Sequence, residues 1–105
     1  MFNSIKTFFN PPSISVNEVK SNLNSETSIL LDVREKNERT ICHIPESVHI
    51  PVRELKNRLN ELIPNKDKKI IVYCASGARS AMATAILNKS GFTALSMNGG
   101  ISAYI

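Results

Sequence analysis

Two runs of consecutive apolar residues, each followed by a polar or helix-forming segment, constrain the fold of this chain most. They read SILLDV at 28–33 and KIIVYC at 69–74. Continuous apolar residues, in place of a strict alternation, are typical of strands that are buried on both faces of a parallel sheet. Because such strands alternate with helical segments, the sequence predicts an α/β domain whose parallel sheet is covered on both faces.

Caps and periodicity indicate the remaining elements. Ser15 and Glu18 stand three residues apart, as in a capping box, and predict a helix from about Val16 to Leu23. The helix formers after Cys74 predict a helix that ends near Gly91, a residue type suited to a helix C-terminus. The other expected elements, in chain order, are a short helix and loop at 34–47, a strand at 48–52, a helix at 53–63 that Pro64 ends, a strand at 94–97, and a glycine turn with one turn of helix at 98–105.

Residues 1–12, MFNSIKTFFNPP, are expected to form an extension in front of a domain that covers residues 13–105. The phenylalanines and Ile5 recur at helical spacing, which predicts a short amphipathic helix that packs on the domain; a weak anchor to a membrane surface or a partner is the alternative. Polar residues interrupt the apolar run of roughly 7–15 residues that a signal peptide needs. No apolar run reaches the roughly 18 residues of a membrane-spanning helix. We therefore expect a cytoplasmic protein without a membrane span.

The composition argues against several other classes of protein. With 105 residues, 42% of them apolar and 21% charged, the chain fits one globular domain, which we expect to be a monomer. The net charge is +4, but the basic residues form no stripe interleaved with aromatic residues, so nucleic-acid binding is not expected. The two cysteines, Cys42 and Cys74, and the two histidines lack the spacing of a metal site, so no metal is expected.

Cys74 lies where the strand at 69–74 gives way to a helix, which is where ligands bind in parallel α/β sheets. The loop after Cys74 can turn its amide N–H groups toward one point and so form an anion cradle. The expected substrate-binding residues of this cradle are Ala75, Ser76, Gly77, Ala78, Arg79 and Ser80. The helix N-terminus and the arginine add positive charge, which lowers the pKa of a thiol and makes Cys74 a candidate nucleophile. The plainer alternative is a small buried side chain that ends a strand.

Four stretches together resemble one family. CASGARS at 74–80 matches the C-x-x-G-x-R-S active-site loop of single-domain rhodaneses, which are thiosulfate and persulfide sulfurtransferases. LLDVRE at 30–35, CHIPESVHIPV at 42–52 and MNGGISAYI at 97–105 are similar to further segments of that family, in the same order. The resemblance covers about Ser13 to Tyr104, and it implies a five-stranded, mostly parallel sheet with helices on both faces.

The resemblance also implies a mechanism. The Cys74 thiolate would attack the outer sulfur of a small anionic donor such as thiosulfate, and Arg79 would orient that donor. The resulting Cys74 persulfide would be held by the loop amides and would pass its sulfur to a thiol or cyanide, with ping-pong kinetics. The acceptor thiol can belong to a partner protein. No metal and no organic cofactor is implied.

Other polar residues of the matching segments have expected roles. Asp32 and Arg34 are expected to fix neighbouring loops by hydrogen bonds, with substrate contact as the alternative. The resemblance implies that His43 is packed and hydrogen-bonded, with a role as a base as the alternative. His49 is expected on a strand or at the surface. Ser76 and Ser80 are expected to hydrogen-bond the sulfur, with helix capping as the alternative role for Ser80.

The sequence departs from the family pattern at several positions. Cys42 stands where the family has glycine, Glu46-Ser47 replaces Gly-Ala, Arg39 takes a place that is usually aromatic, and Tyr104 takes the place of tryptophan. Cys42 is expected to be an unpaired thiol that faces away from Cys74. A resolving thiol or a disulfide partner is the alternative. A disulfide would require the Cα atoms of the two cysteines to lie within about 7 Å of each other.

Three other functions remain as alternatives. Four residues separate Cys74 from Arg79, whereas cysteine phosphatases need five for their wider phosphate cradle, which argues against a phosphatase. A non-catalytic binding or regulatory module would usually lose the cysteine. A thiol redox protein would use Cys42 and Cys74 together.

Overall fold

A parallel sheet forms the centre of the molecule. The computed structural model describes residues 10–24 and 26–105, and within these residues the sheet has five strands in the order β1-β5-β4-β2-β3. Every pair of neighbouring strands is parallel. The strands are β1 Ser13–Ile14, β2 Ser28–Asp32, β3 Val48–His49, β4 Lys69–Tyr73 and β5 Thr93–Met97. The α/β class and the parallel sheet are therefore confirmed.

The central strands β2 and β4 are buried on both faces, as their continuous apolar runs predict. Val72 and Cys74 face one core, which also contains Leu55 and Leu87. Ile71 and Tyr73, which alternate with them, face a second core. Successive side chains of a strand point to opposite faces, so a strand between two cores needs apolar residues at every position.

Helices cover both faces of this sheet. They are α1 Val16–Asn22, α2 Lys36–Ile41, α3 Ala78–Lys89 and α4 Gly100–Tyr104. The α1 cap is formed as predicted, because the Glu18 amide donates to Ser15 Oγ at 3.1 Å. Gly91 follows the end of α3 with φ +93°, the left-handed region in which glycine suits a helix end.

The helix predicted over 53–63 is the main error. The chain forms two 3₁₀ helices there, Val52–Asn57 and Leu59–Asn65, separated by Arg58. Pro64 lies inside the second one and does not end it. Proline lacks the N–H that an α-helical bond needs and its ring crowds the preceding turn, so the tighter i→i+3 pattern prevails. Leu55 and Leu62 are nevertheless buried in the core, one from each 3₁₀ helix.

The first strand, β1, lies at one edge of the sheet and was not predicted from the sequence. The strand β1 has two residues, too few to give a pattern, and it pairs with Ser96 and Met97 of β5.

The helix predicted over 1–12 falls mostly on residues outside the described part of the chain, and residues 10–12 are not helical. Within residues 10–24 and 26–105, no helix has the length and apolar character needed to cross a membrane.

Candidate functional site

Cys74 follows β4 directly and is 1% exposed, so its sulfur lies at the carboxyl edge of the sheet under the loop. The amide N–H groups of Gly77 and Ser80 donate to Cys74 Sγ at 3.1 and 3.3 Å. The Ser80 hydroxyl lies 3.5 Å from the same sulfur. Gly77 is the N-cap of α3 and has φ +121°, a backbone conformation that residues other than glycine rarely adopt. The loop at 74–80 thus surrounds Sγ, and its part in catalysis stays a prediction.

This environment lowers the pKa of the Cys74 thiol. Burial is the largest effect and acts to raise the pKa, but hydrogen bonds from the Ser80 hydroxyl and from the amides of Ser80, Gly77 and Ser76 outweigh it. A sulfur that accepts several N–H and O–H groups is stabilised as the thiolate, which is the nucleophilic form.

The two serines of the loop act differently. Ser76 is exposed and acts on the sulfur through its backbone amide. Ser80 is buried, and its hydroxyl also lies 3.1 Å from the Gly77 carbonyl oxygen and 2.8 Å from Ser96 Oγ of β5. The N-cap of α3 is Gly77, so the alternative role of Ser80 as the helix cap is wrong.

The first turn of α4 holds the loop from outside. The Ile101 amide donates to the Cys74 carbonyl at 2.9 Å, and the Ser102 amide and hydroxyl donate to the Ala75 carbonyl at 3.2 and 2.9 Å. Since the Ala75 carbonyl points toward α4, the Ser76 amide of the same peptide group points the other way, toward the sulfur. Sequence reasoning missed this contact, and its only signal is the Gly99-Gly100 pair, which allows the two backbones to approach closely.

Arg79 was predicted to orient an anionic donor, but its guanidinium group is paired with the Glu38 carboxylate, a contact that the sequence did not reveal. Its Nη1 and Nη2 atoms donate to the two carboxylate oxygens of Glu38 at 2.6 and 2.8 Å. The hydrogen bonds from Arg79 hold the pKa of Glu38 down at about 2. The same pairing raises the pKa of Arg79, so both side chains stay charged.

Asp32 and Arg34 form a buried ionic cluster next to the site. Arg34 Nε and Nη2 donate to the two oxygens of Asp32 at 3.0 and 2.9 Å, and Arg39 and the Tyr73 hydroxyl each donate to Oδ2 at 3.2 Å. Burial acts to raise the pKa of Asp32, but the hydrogen bonds and charge of Arg34 outweigh it and the pKa is lowered. The cluster joins β2, β4 and α2, which fits the structural role expected of Asp32 and Arg34.

The remaining residues with an expected role are the two histidines and Cys42. His43 is exposed, with Nδ1 3.2 Å from the Arg39 carbonyl oxygen, so it is hydrogen-bonded but the prediction that it is packed is wrong. His49 lies on β3, half-buried, with Nε2 2.7 Å from the Arg34 carbonyl oxygen. Cys42 is an exposed free thiol and Cys74 a buried one, without a disulfide between them. Across residues 10–24 and 26–105, no three His, Cys, Asp or Glu side chains are grouped to hold a metal.

Comparison with known proteins agrees with this fold. The putative sulfur carrier protein YrkF of Bacillus subtilis is 44% identical over 82 residues, which are 77% of this chain and 43% of that protein, so the chain spans less than half of it. A protein of Allochromatium vinosum named sulfurtransferase is 35% identical over 96 residues, 85% of this chain and 88% of that one. A rhodanese-like domain protein from Staphylococcus aureus has a similar solved structure, with a TM-score of 0.82, 32% identity and coverage of 90% and 91%.

A profile of one domain family accounts for nearly all of the described chain. It matches residues 15–105, which include the four stretches that carried the resemblance, the Cys74 loop among them. The match leaves out only the first 14 residues. This chain therefore belongs to the rhodanese-like domain family.

Proposed function

We propose that this protein is a rhodanese-type sulfurtransferase that carries sulfane sulfur as a persulfide on Cys74. The observation that supports this most directly is the set of groups around Cys74 Sγ, namely two amide N–H donors within 3.3 Å and the Ser80 hydroxyl at 3.5 Å. These donors favour negative charge on sulfur, both in the attacking thiolate and in a persulfide. Sulfur transfer is also the activity in the names of two relatives, a sulfurtransferase and a putative sulfur carrier protein.

The proposed reaction has two half-reactions. In the first, the Cys74 thiolate attacks the outer sulfur of thiosulfate or of another persulfide; an Sγ–S bond forms, the donor S–S bond breaks, and sulfite or a thiolate leaves with the electron pair. In the second, a thiolate or cyanide attacks the outer sulfur of the Cys74 persulfide and the Cys74 thiolate is restored. Charge and atoms balance in each step without an added oxidant, so the chain needs no redox cofactor.

The acceptor is proposed to be a thiol, either small or carried by a partner protein, with cyanide as a convenient substitute. The relative named putative sulfur carrier protein supports a protein acceptor as one form of this reaction. Two free thiols, one of them exposed, fit a reducing compartment such as the cytoplasm. We propose that the protein acts as a monomer.

The test is the intact mass of the protein after brief incubation with thiosulfate or with an alkyl persulfide. The wild type and the Cys42→Ser variant should each gain one sulfur atom, and cyanide or a thiol should remove it. The Cys74→Ala variant should gain none. A wild type that gains no sulfur from either donor would overturn the proposal. A gain that persists in Cys74→Ala but is lost in Cys42→Ser would assign the carrier role to the other thiol.

A further inference from the structure

The cradle around Cys74 contains one charged side chain, Arg79, and that charge is already neutralised. Both terminal nitrogens of the guanidinium bind Glu38, one to each carboxylate oxygen, at 2.6 and 2.8 Å. A bidentate pair of this kind is the strongest geometry available to arginine. An incoming anion at the loop would therefore have to compete with Glu38 for Arg79.

Glu38 is held in this position by its own helix. The Glu35 amide donates to Glu38 Oε1 at 2.9 Å, so the carboxylate accepts from the first turn of α2 as well as from Arg79. Glu35 is in turn bound by Arg53, whose Nε and Nη2 lie 3.0–3.1 Å from its carboxylate oxygens. The contact between α2 and α3 thus places a fixed negative charge beside the loop.

The Arg79–Glu38 ion pair is partly exposed to solvent, so a charged substrate can interact with it. The side chains of Arg79 and Glu38 are 34% and 30% exposed, so both border the solvent-facing side of the loop. Arg79 lies in the loop between Gly77 and Ser80, the two residues whose amides donate to Cys74 Sγ, so the ion pair with Glu38 belongs to the loop that surrounds the sulfur. Because the two charges of the pair cancel, the cradle offers N–H donors but no free cation.

The two classes of sulfur donor differ in the charge that the site must tolerate. Thiosulfate is a dianion, so its reaction with the Cys74 thiolate brings three negative charges together. A protonated alkyl persulfide brings only the charge of the thiolate. Like charges raise the cost of the first case, and a free guanidinium would offset that cost.

We propose that Glu38 is a specificity-determining residue which, by neutralising Arg79, makes Cys74 prefer alkyl persulfides over thiosulfate. This inference rests on the proposed sulfurtransferase function. The favoured step is R–S–SH + Cys74–S⁻ → Cys74–S–SH + R–S⁻. The Sγ–S bond forms, the donor S–S bond breaks, and the electron pair leaves on the donor thiolate, so there is no net oxidation.

The test compares two donors, thiosulfate and the persulfide of 2-mercaptoethanol, which carries no charge apart from its sulfur. The rate of sulfur gain on Cys74 is measured in a Cys42→Ser background, and the ratio of the two kcat/KM values is the readout. In Glu38→Gln the ratio of thiosulfate to persulfide should rise about tenfold, since one charge near the site is worth about that much. The gain should shrink at high salt.

Two further variants separate this effect from general damage. In Glu38→Gln with Arg79→Gln the gain should disappear, because the freed guanidinium is its source. Arg79→Gln alone leaves Glu38 unneutralised and should lower the same ratio about tenfold, which provides a test that does not depend on Glu38→Gln folding. Glu26→Gln removes an equal charge from the exposed turn before β2, at the opposite edge of the sheet, and should leave the ratio unchanged.

The outcomes are distinct. A ratio that stays constant in Glu38→Gln and in Arg79→Gln, while both donors still load Cys74, overturns the inference and leaves the sulfurtransferase proposal standing. Equal losses with both donors would show that the ion pair only supports the structure, which also overturns it. A wild type that neither donor loads removes the proposed function and the inference with it.

Discussion

The hydroxyl groups of Ser80 and Ser96 lie 2.8 Å apart and join α3 to β5 next to the Cys74 sulfur. Ser80 Oγ is also 3.5 Å from Cys74 Sγ. A hydroxyl group has one proton to donate. If Ser96 donates to Ser80, the Ser80 proton can go to the Gly77 carbonyl oxygen at 3.1 Å or, once Cys74 is a thiolate, to the sulfur. The sheet and the helix therefore act together on the charge of the thiolate.

Ser80→Ala should raise the pKa of Cys74. A hydrogen bond to a charged group contributes about 1.5–3 kcal/mol, so its loss corresponds to about 1–2 pKa units. The titration is followed by the ultraviolet absorbance of the thiolate in a Cys42→Ser background, with Cys74→Ser to subtract the tyrosine signal. The wild-type pKa is lowered, so the wild type keeps its thiolate to a lower pH than the variant. As the pH falls, the variant should therefore lose its thiolate, and with it the loading of sulfur, before the wild type does.

The matched control for this prediction is Ser76→Ala. Ser76 is exposed and acts through its backbone amide, which the substitution keeps, so the titration of Cys74 should not move. If both variants shifted the pKa equally, the buried Ser80 hydroxyl would have no special part in stabilising the thiolate.

Asp32→Asn should destabilise the fold strongly. Asp32 is fully buried and accepts from Arg34, Arg39 and Tyr73, while Arg34 is itself 4% exposed. Removing one partner leaves an uncompensated buried charge, which typically costs about 3–5 kcal/mol. The free energy of unfolding in urea measures this loss. Glu61→Gln, which breaks the solvent-exposed pair with Arg58, should cost far less, and a similar loss in both variants would contradict the prediction.

Those parts of the fold that depend on local sequence were predictable. The runs at 28–33 and 69–74 indicated buried strands because each strand lies between two cores, and Ser15 with Glu18 indicated the start of α1. The segment at 53–63 misled, since an apolar stripe does not distinguish an α-helix from two 3₁₀ helices. The strand β1 exists only through its pairing with β5.

The residues of the site also fall into those that local sequence predicted and those that it did not. Cys74, Gly77 and Ser80 are close in sequence, so a strand followed by a glycine loop and a helix was enough to bring them together. Ser96 reaches them because β5 pairs with β4, and Glu38 because it projects from α2 to Arg79 on α3. These contacts depend on the order of strands in the sheet, which no local pattern encodes.

Gly100→Ala should destabilise the protein and slow sulfur loading. Gly100 has φ +62°, and a Cβ there would overlap the carbonyl group of Ala75, which belongs to the loop. Because that contact is between backbones, the added methyl group must push α4 away from the loop, and we expect a loss of about 1–3 kcal/mol. Thermal unfolding and the rate of persulfide formation are the two measurements.

Gly91→Ala is the control for that substitution. Gly91 also has positive φ, at +93°, but a Cβ there would meet only the flexible end of Lys66. Both variants should lose stability, and only Gly100→Ala should also slow loading in the fraction that is folded. If Gly91→Ala slowed it equally, the contact between α4 and the Cys74 loop would have no specific effect on the reaction.

Glu46→Gly should stabilise the protein. Glu46 is exposed and has φ +66°, the left-handed conformation that suits the glycine which the family pattern has at this place. Relief of the left-handed strain gains about 1–2 kcal/mol, and the greater freedom of glycine in the unfolded chain takes back about 0.4–1 kcal/mol. The expected net gain is therefore about 0.5–1 kcal/mol in urea unfolding. Glu46→Ala removes the same carboxylate but keeps the Cβ, so it should give no gain; an equal gain would assign the effect to charge and not to the backbone.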